Sequence, residues 1–309
     1  MMAELYIHAG LNLSSIKIQL VEIFSAPDQV RLENINEVVF AEPINFKSDK
    51  ERKILVQLQA AYDEFRVKKP VKSNTLSFSL PLELFYITQL PYDNTLLHRD
   101  IVEEFKWEFS VLYPFIKSDD LILQYLEVEK NMVFTKNTAI VYAIERKYLQ
   151  ILQKFCEQNN FKLGYIDNAH LSSERALALS DSFINQGLRL SVFVSKNYLS
   201  NILTLDGKPI SQKVHRLTSY NDIRQIIEHE LSPSKSKNII KGLVQAAYIT
   251  GENVPESLIQ SLSRKIGVSF ILFNPFDKLI ASEKIMESPL YSQRFNSFSP
   301  AAGIAYRIA

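Results

Sequence analysis

Two stretches of this chain have the same shape. Leu5 to Ile23 reads LYIHAGLNLSSIKIQLVEI, and Leu190 to Lys208 reads LSVFVSKNYLSNILTLDGK. Each is strand, tight turn, strand, and each opens one half of the chain. A hairpin that leads off both halves implies two lobes of one plan. The 309 residues suit this, at roughly 150 per lobe.

After each hairpin, strands alternate with amphipathic helices. In the first half QVRLENINEVVF is strand-like. Ser48 and Glu51 then stand three apart, as a capping box does, ahead of a helix with Ile54, Leu58, Ala61 and Phe65 on one face. TLSFSL alternates, and a second extended run ends at Pro91. Asn94 or Thr95 is the expected cap of a helix with Leu97, Ile101, Phe105 and Phe109 on one side. Two further strands meet at a turn near Lys130–Asn131. ERKYLQILQKFCEQNN is a helix, FKLGYIDN a strand, and a helix from Leu171 stops at Gly187. In the second half Asp206–Gly207 is a turn signal. Ser219 and Asp222 open a helix, SPSKSKN is a loop, and LVQAAYITG is a strand or the end of a helix leading into one. Asn253 and Glu256 cap a helix, VSFILFNPF is a buried strand, and SPAAGIAYRIA is a helical tail. This order predicts α/β lobes with mixed sheets covered by helices, a small α+β insertion in the first. The expected division is residues 1–187, with an inserted subdomain over about 80–131, and residues 188–309.

Composition excludes several functions. The formal net charge is +1, which offers no global field for nucleic acid or an anionic membrane. The lone cysteine, Cys156, lies on an amphipathic helix and reads as a core thiol. The five histidines have no metal-ligand spacing, and no phosphate-binding loop, dinucleotide fingerprint or nucleophile elbow occurs. No apolar run approaches the roughly 20 residues a membrane span needs, and the start lacks a basic segment leading into an apolar one. A cytoplasmic protein is expected, tied to the inner membrane only through a partner and without direct membrane insertion.

Four blocks, in order along the chain, resemble the actin-like ATPases of the PilM type, relatives of FtsA and of the GspL cytoplasmic domain. The first runs from Leu80–Pro81 through Leu90–Pro91, Glu103–Glu104 and Glu108 to Tyr113–Pro114–Phe115. The others are TAIVYAIERKYLQILQKF with GYIDN, then YITGENVPESLIQSLSRKIGVSFILFNPF, then FSPAAGIAYR. The resemblance implies duplicated actin-like, ribonuclease H-like lobes around a cleft. In that family each hairpin turn aims amides at phosphates, an acidic residue in each turn region anchors hydrated magnesium, and a glycine-rich turn takes the nucleoside.

This sequence departs at all three places. Gly10, Ser14, Ser15 and Lys17 could serve the first turn, but its acidic residue is replaced by His8 or Asn12. The second turn reads Phe193–Val194–Ser195, leaving Ser195 alone to serve. The third reads Gly251–Glu252–Asn253, with a carboxylate where an anion would sit. The expectation is therefore a degenerate site, with no catalytic or metal-ligating residue and no cofactor, ATP with magnesium being the group the family would hold. Lys17 reads as a phosphate contact or as a solvated strand side chain. The rival readings are an active ATPase or sugar-kinase-like enzyme and a membrane-bound filament former. The kinase would need a carboxylate base that is not evident, and the filament former a basic amphipathic C-terminal helix that this sequence lacks. The resemblance further implies that a short cytoplasmic segment of a membrane-anchored PilN-like protein docks between the first lobe and its insertion. Phe85, Tyr86, Trp107 and Tyr113 are the aromatic candidates for that contact, with Trp107 off the helix's apolar face. No nucleic-acid partner is expected.

Overall fold

The computed structural model describes residues 6–26, 29–179, 186–219, 221–231 and 242–308. The expected loop SPSKSKN and the helical stretch over 180–185 lie outside the described residues.

Three strands open each half. In the first, β1 (Tyr6–Leu13), β2 (Lys17–Ala26) and β3 (Gln29–Val39) run antiparallel. Then β4 (Thr75–Leu80) lies parallel to β1, and β8 (Lys162–Asn168) lies parallel to β4. The second half repeats the plan. Strands β9 (Leu188–Val194), β10 (Tyr198–Leu205) and β11 (Lys208–Arg216) are antiparallel. Strands β12 (Val244–Gly251) and β13 (Phe270–Leu272) extend that sheet in parallel from β9. Third, second, first, fourth, fifth is thus the strand order of both sheets. Strands β2 and β9 are buried along nearly all their length, as strands of a sheet covered on both faces must be.

Helices fill the faces. On α1 (Glu51–Lys68), Ile54, Leu58, Ala61 and Phe65 recur at helical spacing and are buried. On α3 (Arg146–Gln158), Tyr148, Ile151, Leu152 and Phe155 join the same core, with Cys156 fully enclosed beside them. In the second half α5 (Asp222–Leu231) and α6 (Glu256–Ile266) bury Ile223, Ile227, Leu258 and Leu262 against β9 and β12.

A third sheet, β5-β7-β6, stands off the first lobe. It comprises β5 (Phe85–Pro91), β6 (Leu121–Val128) and β7 (Thr138–Glu145), all antiparallel. Its middle strand lies beyond Asn131 and runs directly into α3. Helix α2 (His98–Leu112) covers one face with Ile101, Phe105 and Phe109.

The chain does not stay in the second half. A two-residue strand, β14 (Ile280–Ala281), pairs with β3 at the edge of the first sheet. The helix Ser299–Ala305 then inserts between the lobes beside α4 (Ala169–Ala178), and every one of its seven residues is buried. Its small side chains permit this. A Cβ at Gly303 would collide with the Ser172 carbonyl, and one at Gly10 with the Ala301 carbonyl.

Several local expectations fail. Helix α1 has no capping box: Lys50 is its N-cap, and the Ser48 amide is taken by the Asn45 side chain at 3.2 Å. Leu97, not Asn94 or Thr95, precedes α2. Pro255 precedes α6, and Asn253 is instead a turn residue with φ of 52°. Strand β13 is short and half-exposed at the sheet edge rather than buried. The Asp206–Gly207 turn forms as expected, with φ of 50° and 79°, which joins β10 to β11 by a two-residue primed turn.

Candidate functional site

The two hairpin turns are built alike. Ser14 N–H donates to Lys17 O at 2.9 Å, and Ser14 Oγ donates to the same carbonyl at 3.2 Å. Ser195 N–H donates to Tyr198 O at 2.8 Å, and Ser195 Oγ to the same carbonyl at 3.0 Å. In the first turn the Ser14 hydroxyl also accepts from the amides of Ile16 and Lys17, at 3.3 and 3.1 Å. The amides of Ser14, Ile16 and Lys17 therefore already have an acceptor.

The turns face each other across a cavity of about 50 Å³ that Asn12, Ser14, Ser15, Phe193, Ser195 and Glu252 help line. A site for a drug-sized ligand is typically about 300 Å³ or more. Phe193 is buried, and its ring stacks on His170 with centroids 5.8 Å apart. His170 is fixed between Ser200 Oγ and Ser191 Oγ, both at 2.8 Å. Burial pushes its pKa down to about 3, so the ring is neutral.

Beside this cavity lies an ion cluster. Lys17 is buried, not solvated. Its Nζ sits 3.0 Å from Glu37 Oε2 and 2.9 Å from Glu252 Oε1. Arg294 grips Glu37 with both guanidinium nitrogens, at 2.8 and 2.9 Å. Gln19 Nε2 donates to Glu37 at 2.9 Å, and Asn12 Nδ2 donates to Gln19 Oε1 at 2.9 Å. Burial alone would raise the Glu37 pKa, but Lys17 and Arg294 outweigh it and hold the group below the usual carboxylate range. Two cations and two carboxylates cancel, and the Lys17–Glu252 pair bridges the two sheets. Next to it is a polar hollow of about 470 Å³ with Lys17, Gly251, Glu252, Asn253 and Arg294 in its wall. Gly251 has φ of 112°, and a Cβ there would meet the Val194 carbonyl.

The chain thus brings Ser14, Ser15, Ser195 and Glu252 to one small cavity, and Lys17, Gly251, Glu252 and Asn253 to its neighbour. Gly10 reaches neither. It lies within β1, opposite Val21 and Ser77, under the helix Ser299–Ala305. His8 is also internal, with Nδ1 2.7 Å from Ala305 O and Nε2 2.9 Å from Ser77 Oγ. Glu37 and Arg294 carried no local sequence signal, since they meet Lys17 only through the fold. Among the described residues no three His, Cys, Asp or Glu side chains gather as a metal site.

A second concave site lies between the third sheet and the first lobe. It is a groove of about 330 Å³. Phe85, Ile122, Leu126 and Tyr142 line one wall, Ile166 and Leu171 the other, and Asp167, Arg175 and Arg307 the floor. Arg307 binds Asp167 at 2.5 Å and lies over the Tyr165 ring, 4.3 Å from its centroid. Three buried polar atoms of the lining, Tyr142 Oη, Asn168 Nδ2 and Arg175 Nε, have no hydrogen-bond partner. Each can donate. The two flanking strands, β6 and β8, are free edges of their sheets.

The four aromatic candidates separate here. Only Phe85 faces the groove. Tyr86 and Tyr113 meet at a tilt of 56°, with ring centroids 4.8 Å apart, on the α2 side of the sheet, where odd-numbered β7 residues point. Trp107 is on the outer surface of α2 and 63% exposed.

No protein-family model and no curated protein matches the sequence. Solved structures do match. A PilM–PilN type IV pilus biogenesis complex aligns over 97% of this chain and 98% of the other, with TM-score 0.68 and 15% identity. A Bacteroides thetaiotaomicron protein with an actin-like ATPase fold and unknown function aligns over 88% and 93%, with TM-score 0.51 and 14% identity. This chain has the actin-like ATPase fold. The repeated sheet order is consistent with that fold's duplicated plan, and the 50 Å³ cavity lies where the paired hairpin turns of the two lobes meet. Among the described residues no helix is long and apolar enough to cross a membrane.

Proposed function

We propose that this protein is an actin-like scaffold of a type IV pilus or related secretion machine, working as a pseudo-ATPase. In this reading the groove between the third sheet and the first lobe holds a short extended segment of a membrane-anchored, PilN-like partner. The observation that carries it is an apolar groove of about 330 Å³ flanked by β6 and β8, each an edge strand of its sheet among the described residues. An extended segment laid along either edge would pair its backbone with the strand, and the apolar lining would take its alternate side chains. Likeness to a PilM–PilN complex over nearly the whole chain is what suggests the kind of partner.

The interlobe cleft fits ATP with magnesium poorly. Glu252 already occupies Lys17, the Ser14 hydroxyl occupies two turn amides, and Phe193 fills the place of a metal-anchoring acid. No chemical step is assigned there. Location at the inner membrane would come through the partner.

The test is calorimetry with two ligands. One is a peptide of the cytoplasmic N-terminal segment of a PilN-like protein. The other is ATP with and without magnesium. Saturable peptide binding, at least tenfold weaker for Leu171→Asp or Arg175→Glu and unchanged for Trp107→Ala, is the expected result. Absence of peptide binding removes the groove assignment, and tight magnesium-dependent ATP binding removes the pseudo-ATPase reading.

A further inference from the structure

Helix α2 has a second face that its own subdomain does not use. Of the seventeen large apolar side chains exposed on the described residues, six fall between Leu96 and Phe115. On the outer stripe of the helix Asp100, Glu104, Trp107 and Val111 follow one another at three- and four-residue spacing, with Glu103 beside them. The stripe is therefore divided: three acids on the first turns, then Trp107 and Val111. Beyond the helix end it continues to Phe115, 77% exposed and braced against Tyr113 at 6.2 Å.

The charges around it are one-sided. Residues 98–120 hold six carboxylates, Asp100, Glu103, Glu104, Glu108, Asp119 and Asp120, against Arg99, Lys106 and Lys117. Arg99 is near Asp100 at 3.5 Å and Lys106 near Glu103 at 2.7 Å, both on the surface. Glu104 and Glu108 have no cationic partner among the described residues. An exposed tryptophan among aliphatic and aromatic neighbours is the composition of an interface anchor. The acids decide which kind. They repel an anionic membrane, and they repel the same face of a second copy. They favour a cationic partner.

We propose that the outer face of α2 is a docking surface for a cationic amphipathic helix of a protein partner. The partner's apolar stripe would cover Trp107, Val111 and Phe115, and its Lys or Arg residues, one to two turns away, would meet Asp100, Glu103 and Glu104. A straight helix fits because the receiving stripe is itself a helix surface about 22 Å long. This face is on the opposite side of the third sheet from the groove, so the two contacts are compatible.

Trp107 is the only tryptophan in the chain, so its fluorescence reports this face alone. The full-length protein is titrated with designed 18-residue helices that share one leucine stripe and carry either lysine or glutamate on the flanks, in several registers. The lysine set is expected to shift Trp107 emission to the blue saturably. Binding should weaken as salt rises. Labelled-peptide anisotropy should show at least tenfold loss for Trp107→Ala and for Glu103→Lys with Glu104→Lys. Groove variant Leu171→Asp should bind these helices as wild type does. Equal binding of lysine and glutamate helices overturns the proposal, as does binding of neither. It is also overturned if anionic phosphatidylserine vesicles shift the emission and the lysine helices do not, or if the protein self-associates and Trp107→Ala abolishes it.

Discussion

Lys17 shows what a single residue can and cannot reveal. Its type and place on a hairpin strand marked it for the cleft, and there it stands. Its partners were out of reach of the sequence: Glu37 is on the neighbouring strand, Glu252 in the other lobe and Arg294 near the C-terminal helix. Burying Lys17 is tolerable only because two carboxylates share it. Lys17→Met should therefore destabilise by about 1–3 kcal/mol, by leaving the half-buried Glu252 without its counter-charge. Adding Glu252→Gln should restore a substantial part of that loss. Urea unfolding of the single and double variants checks this, and strict additivity of the two substitutions would show that the pair is not coupled. The partner candidates were less legible. Tyr86 and Tyr113 were marked by type alone, and only the alternation of strand faces, once β5 and β7 pair, assigns Phe85 to the groove and Tyr86 to the other side.

At the scale of elements, hydrophobic periodicity located nearly every helix and strand, because burial faces impose their repeat over ten or more residues. Helix ends were read less well. Ser48 and Glu51 had the right spacing for a box, yet Asn45 and Asp49 close their own loop first, with Asp49 accepting from the Asn45 amide at 2.7 Å. Asn253 was diverted in the same way, into a left-handed turn. The C-terminal helix was legible as a helix, but its burial on all sides was written only in its small residues. That makes a sharp test. Gly303→Ala should destabilise by about 3 kcal/mol or more, because the new methyl meets backbone that cannot rotate aside. Gly267→Ala, at a helix end with φ of 74° and open space around its Cβ, should cost only about 1 kcal/mol. Thermal melts of the two variants compare them directly, and equal losses would refute the packing account.

At the scale of the whole molecule, the hairpin echo did foretell a repeated plan, because the sheet order repeats strand for strand. The seam between the lobes was not foretold, since it is made of single residues from distant segments. His170 is one of these. It reaches from α4 to β9 and β10 and is neutral when folded, its pKa lowered to about 3 by burial. The unfolded chain binds this proton near pH 6.5, so in the interval between those values the unfolded state holds more protons. Stability should then fall as pH falls, with a slope approaching 1.4 kcal/mol per pH unit for this one group. His8, lowered by burial as well, adds to the effect in the same direction. Denaturant midpoints from about pH 6.5 down to about pH 5 give the slope, and His170→Leu should make it shallower. An unaltered slope in that variant would mean that the imidazole titrates in the folded protein.

The return of residues 280–305 to the first sheet also has a bearing on biosynthesis. A polypeptide leaves the ribosome from its N-terminus, and domains made first commonly fold first. Here β1 carries a bare glycine at position 10 until the helix Ser299–Ala305 arrives to cover it, and β3 lacks its outer neighbour until Ile280–Ala281 arrives. That side of the first sheet therefore stays uncovered until residues 280–305 have been made.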